Sequence, residues 1–484
     1  MAFMLDPTTD GNDLRRLIEL FGKVIAARLP ANSDFQARER AALELGNELV
    51  REDLRRQLQA MADAQPSSVT IDGVVYRRHH EGRVDYHSLC GPLSVQRWSY
   101  RVAGVHNGPV CVPLEKQAGL MHRGTPEFCY CLAQGYAKAP VRSVEQDMRA
   151  AHRWPPSRST MERMATEIGT AARRVTLRIE QRLRNDELLP DNAVAINLGL
   201  DRTTIPMAED RPAGDGPRDQ PERRKGSTVG GAKRRNSPSR VVRYRMGYVG
   251  TVAITNKDGE TLEARRYSAA AHAGPSSVLA RMMADLRHAR AQNPKLIIGV
   301  VQDGAPEMWN RMRDALRAEL NVPGLGIEWH ETIDRYHLME HLSAGLELLE
   351  KSQERRERRL EQWCEQLDQN DFAIEKISDW FQKTACQQGD RVWVQMQKLV
   401  GGYIGVSRLF RYATAKRLGL HEGSGVTEGA CKSLITSRTK RSGQRWRPRG
   451  ISAVLALRSL LNSDRLERFW PIFAKSYTTT CAAA

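Results

Sequence analysis

No run of about 18 apolar residues occurs in this 484-residue chain, so no membrane-crossing helix is expected. The opening residues, MAFMLDPTTDGNDLRR, place acidic side chains where a secretory leader would carry a basic start and an apolar stretch. Cysteine is sparse and unpaired: there are eight, no Cys-x-x-Cys, and only Cys129 and Cys131 lie close together. That argues against a disulfide framework and for a reducing, cytoplasmic setting. No internal repeat is present. Acidic residues are also outnumbered, 57 Asp and Glu against 74 Lys and Arg, which leaves a net charge of +17. The expected partner is therefore a polyanion. Nucleic acid is the first choice, because phosphate neutralisation releases counterions.

What is present divides by texture into an α+β multidomain chain. Residues 1–65 read as helices, with Leu14, Leu17, Ile18, Phe21, Val24 and Ile25 on one face. Residues 66–120 change to alternating runs such as VTIDGVVY and LSVQRWSYRV, a small β module in which Asn107-Gly108 offers a hairpin turn. Residues 121–190 are helical again, with a turn at Trp154-Pro155-Pro156 and Ser157 or Ser159 as the next helix cap. A DNA-binding helix-turn-helix and a plain helical pair fit this stretch equally. Between 191 and 337 a strand–strand–strand–helix–strand–helix–strand series predicts a mixed sheet covered by helices. Residues 209–240 interrupt it with four Pro, five Gly and nine Lys or Arg, which reads as a mobile basic loop. Residues 338–420 are helical, and 421–484 close the chain.

Two carboxylates stand out in the sheet region. Asp201 follows the buried run AVAINLGL, and Asp303 follows LIIGVVQ. With those strands adjacent, both carboxylates emerge side by side and repel unless a hard cation, Mg²⁺ or Mn²⁺, sits between them. A third comes from GSGVTEGACK, where Glu428 begins a helix that Thr427 is expected to cap. Two metals about 3.5–4 Å apart can activate a water and stabilise a leaving phosphodiester oxygen. A lone Asp after a strand is more often a turn or cap residue. The combination with a helix-borne Glu and basic surroundings favours chemistry. Glu422, Glu307 and Asp210 are rivals for individual roles. Trp309, Trp329, Trp363 and Trp380 read as core rather than base-stacking residues.

On GLDRTTIP, VVQDGAPEMW, IDRYHLMEHL and GSGVTEGACKSLITSRTKRSGQRW the chain resembles DDE transposases of bacterial insertion sequences, closest to the ISKra-type group. The resemblance covers roughly residues 70 to 470. It implies an RNase H-like mixed α/β catalytic core with an all-helical insertion over 338–420, preceded by helical and small β modules. It implies a catalytic triad of Asp201, Asp303 and Glu428 holding two Mg²⁺ (or Mn²⁺) ions, with Asp201 bridging them. Asp334 and His337 match an Asp-x-x-His signature beside that site. His337 either contacts the scissile phosphate or a flanking base, or only bonds Asp334. The implied partners are double-stranded DNA, at terminal inverted repeats and target, and a second copy of the chain. A cytoplasmic, nucleoid-associated protein follows. Relatives often carry a zinc ribbon. Here Cys90, Cys111, His79, His80 and His87 are too irregularly spaced, and no zinc is expected.

The last expectation is a DNA surface. KSLITSRTKRSGQRWRPRG holds seven basic residues, Lys432, Arg438, Lys440, Arg441, Arg445, Arg447 and Arg449. Starting on the helix of Glu428, they would contact phosphates and carry little sequence information. Two other readings share these residues: an RNase H-like nuclease or resolvase without strand transfer, and a transposase-derived DNA-binding protein without catalysis.

Overall fold

The computed structural model describes residues 11–30, 32–210, 240–320, 329–400, 402, 409–478 and 482–483. Most of the basic loop expected over 209–240 therefore lies outside the described residues. The chain forms two compact units, Met1–Ile168 with Trp470–Ala484, and Gly169–Phe469. The block expected over 421–484 is thus divided between them. Among the described residues no helix is long and apolar enough to cross a membrane.

In the first unit, α1 (Gly11–Arg28) precedes α2 (Phe35–Asp63), which starts where the Asp34 carboxylate accepts from the Ala37 N–H at 2.7 Å. The alternating runs form an antiparallel sheet of β1 (Ser68–Ile71), β2 (Val74–Ser88), β3 (Gly91–Val102) and β4 (Val110–Cys111), with the two-residue strand Ala482–Ala483 paired on the outer side of β1. Its tight turn is Asp72-Gly73, with φ of 50° and 78°, the left-handed pair that a two-residue hairpin requires. Asn107-Gly108, expected to be such a turn, sits instead in the longer β3–β4 connection. After α3 (Pro113–Gln117), α4 (Pro126–Lys138) is capped by Thr125. Then come α5 (Val141–Ala150) and α6 (Arg158–Asn185), which belongs to this unit up to Ile168 and to the second from Gly169, and the Ser157 hydroxyl caps α6 by accepting from the Thr160 N–H.

The second unit is built on five strands. They are β5 (Ala195–Asp210), β6 (Arg240–Thr255), β7 (Thr261–Ala269), β8 (Ile297–Gln302) and β9 (His330–Ile333), in the order β7-β6-β5-β8-β9. β6 runs antiparallel to β5 and β7, whereas β5, β8 and β9 are mutually parallel. Apolar runs make β5 and β8 the buried centre, as parallel pairing demands. Leu198, Leu200, Val252 and Ile254 pack against Met282 and Leu286 of α7 (Ser276–Gln292) and Met312 of α8 (Pro306–Leu320).

The β5–β6 ladder continues to Asp210↔Arg240, well beyond the last β5–β8 pair, Leu198↔Val300. Asp201 therefore lies within its strand rather than after it. The reason is that the antiparallel partner keeps pairing after the parallel one has turned away into α8.

The helical insertion comprises α9 (Arg335–Leu349), α10 (Gln353–Gln369), α11 (Ala373–Cys386), α12 (Asp390–Leu399) and α13 (Tyr412–Arg417). Trp363, Trp380 and Phe381 meet edge-on within it, with centroids 5.1–5.4 Å apart, and join the sheet's hydrophobic core. Trp309 and Trp363 are buried, while Trp329 and Trp380 are partly buried against the same core. The chain then returns through α14 (Gly425–Ala430), a π-helical turn (Cys431–Thr436) and α15 (Ser437–Thr439). It ends in α16 (Pro448–Asn462) and α17 (Leu466–Lys475).

Candidate active site

Register alone lines up three aspartates. Leu198 pairs with Val300, so Asp201 and Asp303 each stand three residues further along adjacent parallel strands. Gln302 pairs with Ile333, so Asp303 and Asp334 each follow by one. Side chains alternate along a strand, so Asp201 shares its face of β5 with Gly199.

Gly199 is where α14 is seated. A Cβ built there would lie 2.0 Å from the Thr427 Oγ1 and 3.0 Å from the Thr251 Oγ1. Only glycine lets the helix come this close, and the two hydroxyls hydrogen-bond across it at 2.7 Å. On the other face, a Cβ at Gly250 would meet Val278 and Met282 of α7. Residues 250 and 251 face opposite ways, so α7 and α14 cover opposite sides of the sheet. The expectation that Thr427 caps the glutamate helix is thereby corrected. α14 starts at Gly425, and Thr427 is a buried packing residue that fixes the rotation of the helix.

Thr427 at the sheet places Glu428 and Cys431 around Asp201. The Cys431 Sγ lies 3.1 Å from the Asp201 Oδ2, and the Arg202 N–H donates to Oδ1 at 2.6 Å. Burial pushes the Asp201 carboxyl above its ordinary range. The thiol and the N–H oppose that shift, and the Asp303 and Glu428 carboxylates reinforce it. Burial and Asp201 in turn push the Cys431 thiol up, so it stays a protonated donor. Asp303 is half-buried, accepts from the Ala305 N–H at 3.3 Å, and is steadied by the Trp309 indole N–H on its carbonyl at 3.0 Å. Glu428 lies 3.2 Å from the Ser424 hydroxyl, whose one proton it shares with Asp334, and 3.7 Å from the Lys432 Nζ.

Asp201, Asp303 and Glu428 line one cavity of about 260 Å³ together with Tyr336, His337 and Glu340. The tightest ligand grouping among the described residues is a different one: Asp334, His337 and Glu428 offer atoms within 4.8 Å of one another. Asp334 is an unsuitable ligand because its oxygens are already occupied. It caps α9 through the N–H groups of Tyr336 and His337, and accepts from both the N–H and the hydroxyl of Ser424. Burial raises its carboxyl, yet these donors outweigh burial and hold it below the ordinary range. Asp334 therefore positions the loop before α14. His337 is another matter. Its Nδ1 is buried without a hydrogen-bond partner and stands 3.7 Å from the Asp334 Oδ2, so only its backbone N–H bonds Asp334.

The rival carboxylates lie outside this cavity. Glu307 pairs with Arg202 and Arg311, Asp210 with Arg240 near the end of the long ribbon, and Glu422 with Arg335. Arg335 also pairs with Asp368 of α10, which fastens the helical insertion to the loop before Glu428. Sequence reading missed Gly199, Ser424, Cys431 and Glu340. Helical spacing could have found two of them: Glu340 follows His337 by three residues, and Cys431 follows Glu428 by three.

Six of the seven tract cations, Lys432, Lys440, Arg441, Arg445, Arg447 and Arg449, are exposed. Arg438 is not: it is 2 % exposed and lies over the Trp446 ring at 4.8 Å. It is a packing residue, removed from the expected DNA surface because its π-helical connection turns it toward Trp446. The backbone of Trp446 pairs with Pro206 and Ala208 of β5, which anchors the tract against the long ribbon.

A first prediction concerns Gly199. Gly199→Ala should push α14 off the sheet, costing about 1–3 kcal/mol in thermal unfolding and displacing Glu428. Adding Thr427→Ala should recover part of that stability. An unshifted melting curve for Gly199→Ala would show that the helix is not seated there.

No family model matches the chain, and no curated protein matches it.

Proposed function

We propose that the chain is a DNA transposase of the DDE class, with an RNase H-like core. It would cut the phosphodiester at element ends and join the freed 3′-hydroxyl to target DNA. One observation carries the reading. Asp201 and Asp303 stand level on adjacent parallel chains, each three residues past the last β5–β8 pair, with Glu428 brought to the same cavity by α14. The strand order, three antiparallel neighbours followed by two parallel additions, supports the core, and the helical block over 338–420 supports the insertion.

The donor set fits a hard divalent cation. It offers three carboxylates around one cavity, with burial and the charges of Asp303 and Glu428 raising the pKa of Asp201, and the nearby sulfur stays protonated. Two Mg²⁺ (or Mn²⁺) ions held by Asp201, Asp303 and Glu428 would supply an activated water and stabilise the leaving oxygen. The chain's own residues do the rest. Ser424 and Lys432 orient Glu428, and Cys431 and the Arg202 N–H hold Asp201. His337 lines the cavity, where its ring could meet a phosphate oxygen or base. The exposed cations of 432–449 would place DNA by its backbone, and a second copy would hold the other end.

The test is end joining. Purified protein is incubated with a plasmid carrying its native element ends, a target duplex, and Mg²⁺ or EDTA. Metal-dependent joining of donor ends to target supports transposition. Cleavage without joining supports the nuclease reading. Binding without cleavage at any metal or pH supports a non-catalytic DNA-binding protein.

A further inference from the structure

The second half of α6 carries a row of cations that nothing in the fold uses. Arg173, Arg174, Arg178 and Arg182 are all exposed, and among the described residues none has an ion-pair or hydrogen-bond partner. Every exposed charge from Gly169 to Asn185 is positive. Arg174, Arg178 and Arg182 recur at every fourth residue, which sets them in one line with about 6 Å of rise per step. Like charges at that spacing weaken a helix. Their persistence without an internal counter-ion calls for an external one.

The helix beneath the row is held rigidly. Its inward side chains, Glu180 and Arg184, are buried and paired with Arg281 and Asp285 of α7. At Gly169 the helix approaches α16 so closely that a Cβ would lie 2.7 Å from the Ala453 carbonyl oxygen. The cations thus sit on a fixed rail, which lowers the ordering cost of binding. A cavity of about 370 Å³ opens beside Arg173 and Arg174, with the hydroxyls of Ser277 and Ser452 in its wall. The cavity also borders β7, so this surface lies at the β7 edge of the sheet, while Asp201 stands on β5 and Asp303 just past the end of β8.

We infer that the α6 row is a second nucleic-acid surface, separate from the 432–449 tract, on which a duplex lays its phosphate backbone. It would bind without regard to sequence, since guanidinium–phosphate contacts position a duplex and do not read it. The inference rests on the DNA partner of the proposed function and not on its chemistry.

The test is the salt dependence of binding. Fluorescence anisotropy of the full chain with a duplex several helical turns long is measured over a range of salt. It is repeated for Arg174→Ala/Arg178→Ala/Arg182→Ala and for the matching triple Lys variant. Each lost phosphate contact should lower the slope of log affinity against log salt by about 0.9, so the Ala triple should lose about 3 in all. The Lys triple should keep most of the slope, because charge is what it shares with Arg. An unchanged slope in an Ala triple that melts like wild type would overturn the inference. Should that triple misfold, Arg178→Ala alone is read in its place, with an expected loss of about 1. A wild type that binds no duplex overturns the inference together with the DNA reading. A wild type that binds and never cleaves overturns only the chemistry and leaves the row standing.

Discussion

Asp303→Asn should cut the proposed metal-dependent cleavage at least about a hundredfold and leave duplex binding as salt-sensitive as in wild type. The amide keeps the shape of the side chain and can still accept from the Ala305 N–H, and the Trp309 indole bonds a backbone oxygen that the substitution does not touch. The local fold should therefore survive. What is lost is one of the carboxylates that together oppose the placement of phosphate oxygens without cations. A cation's stabilisation of developing charge is worth several kcal/mol, so the single-turnover rate should fall at least about a hundredfold. If the proposed activity is present, the wild-type protein should carry a signature of Asp201 as well. Its pKa is raised by burial and by the neighbouring carboxylates, so it takes up a proton at a higher pH than an ordinary aspartate. Metal-dependent activity should thus fall on the acid side earlier than an unperturbed aspartate would dictate, and excess Mg²⁺ should push that limb back down. A wild-type rate for Asp303→Asn would remove Asp303 from the site.

The largest effect on stability is expected at Asp285, which sits in α7 and does not line the cavity of Asp201 and Asp303. Asp285 is buried between Arg184, whose Nε donates to it at 2.5 Å, Arg465 at 3.2 Å, and the Tyr267 hydroxyl. Arg465 continues the network to Glu187 at 2.6 Å, and Arg281 joins Glu180 at 2.8 Å. Burial opposes the charge on Asp285, yet the two arginines outweigh it and hold the carboxyl below its ordinary range. Asp285→Ala leaves buried guanidiniums uncompensated and should cost about 3–5 kcal/mol. In calorimetry, the transition of the Gly169–Phe469 unit should drop on the order of 10 °C. The paired variant Asp285→Asn/Arg184→Met should cost less than Asp285→Ala, because it removes both ends of one ion pair. If Asp285→Ala melts like wild type, the network is not what ties α6, α7 and the α16–α17 turn together. The pH sign follows from the depressed pKa. Protons bind the unfolded chain first, so this contribution is present above the ordinary aspartate range and is lost as pH falls through the folded value.

How much of this was legible beforehand varies from element to element. The strand assignments from AVAINLGL and LIIGVVQ hold at β5 and β8, because long apolar β-branched runs leave few alternatives. The Asp258-Gly259 turn between β6 and β7 is also local, since Gly259 takes the left-handed φ of 78° that favours glycine. The ends of elements were less so. Asp201 was expected after a strand and lies inside one, because strand length here is set by the β6 partner rather than by the residues of β5. Thr427 carried the composition of a cap and serves as a packing residue, since the helix start was decided two residues earlier by the loop that Asp334 holds. Arg438 looked like its exposed neighbours until a π-helical turn rotated it onto Trp446.

The sequence by itself determined which groups are on hand: aspartates following apolar runs, a glutamate in a helical stretch, and an excess of 17 positive charges. Those are properties of residue types and local periodicity. Only the tertiary structure decided which carboxylates share a cavity, that Asp334 is consumed as a cap while the Nδ1 of His337 is left without a partner, and which arginines face solvent. Each of these depends on register between strands distant in sequence and on a helix seated over a single glycine. Long-range packing sets such distances, and no local pattern encodes them.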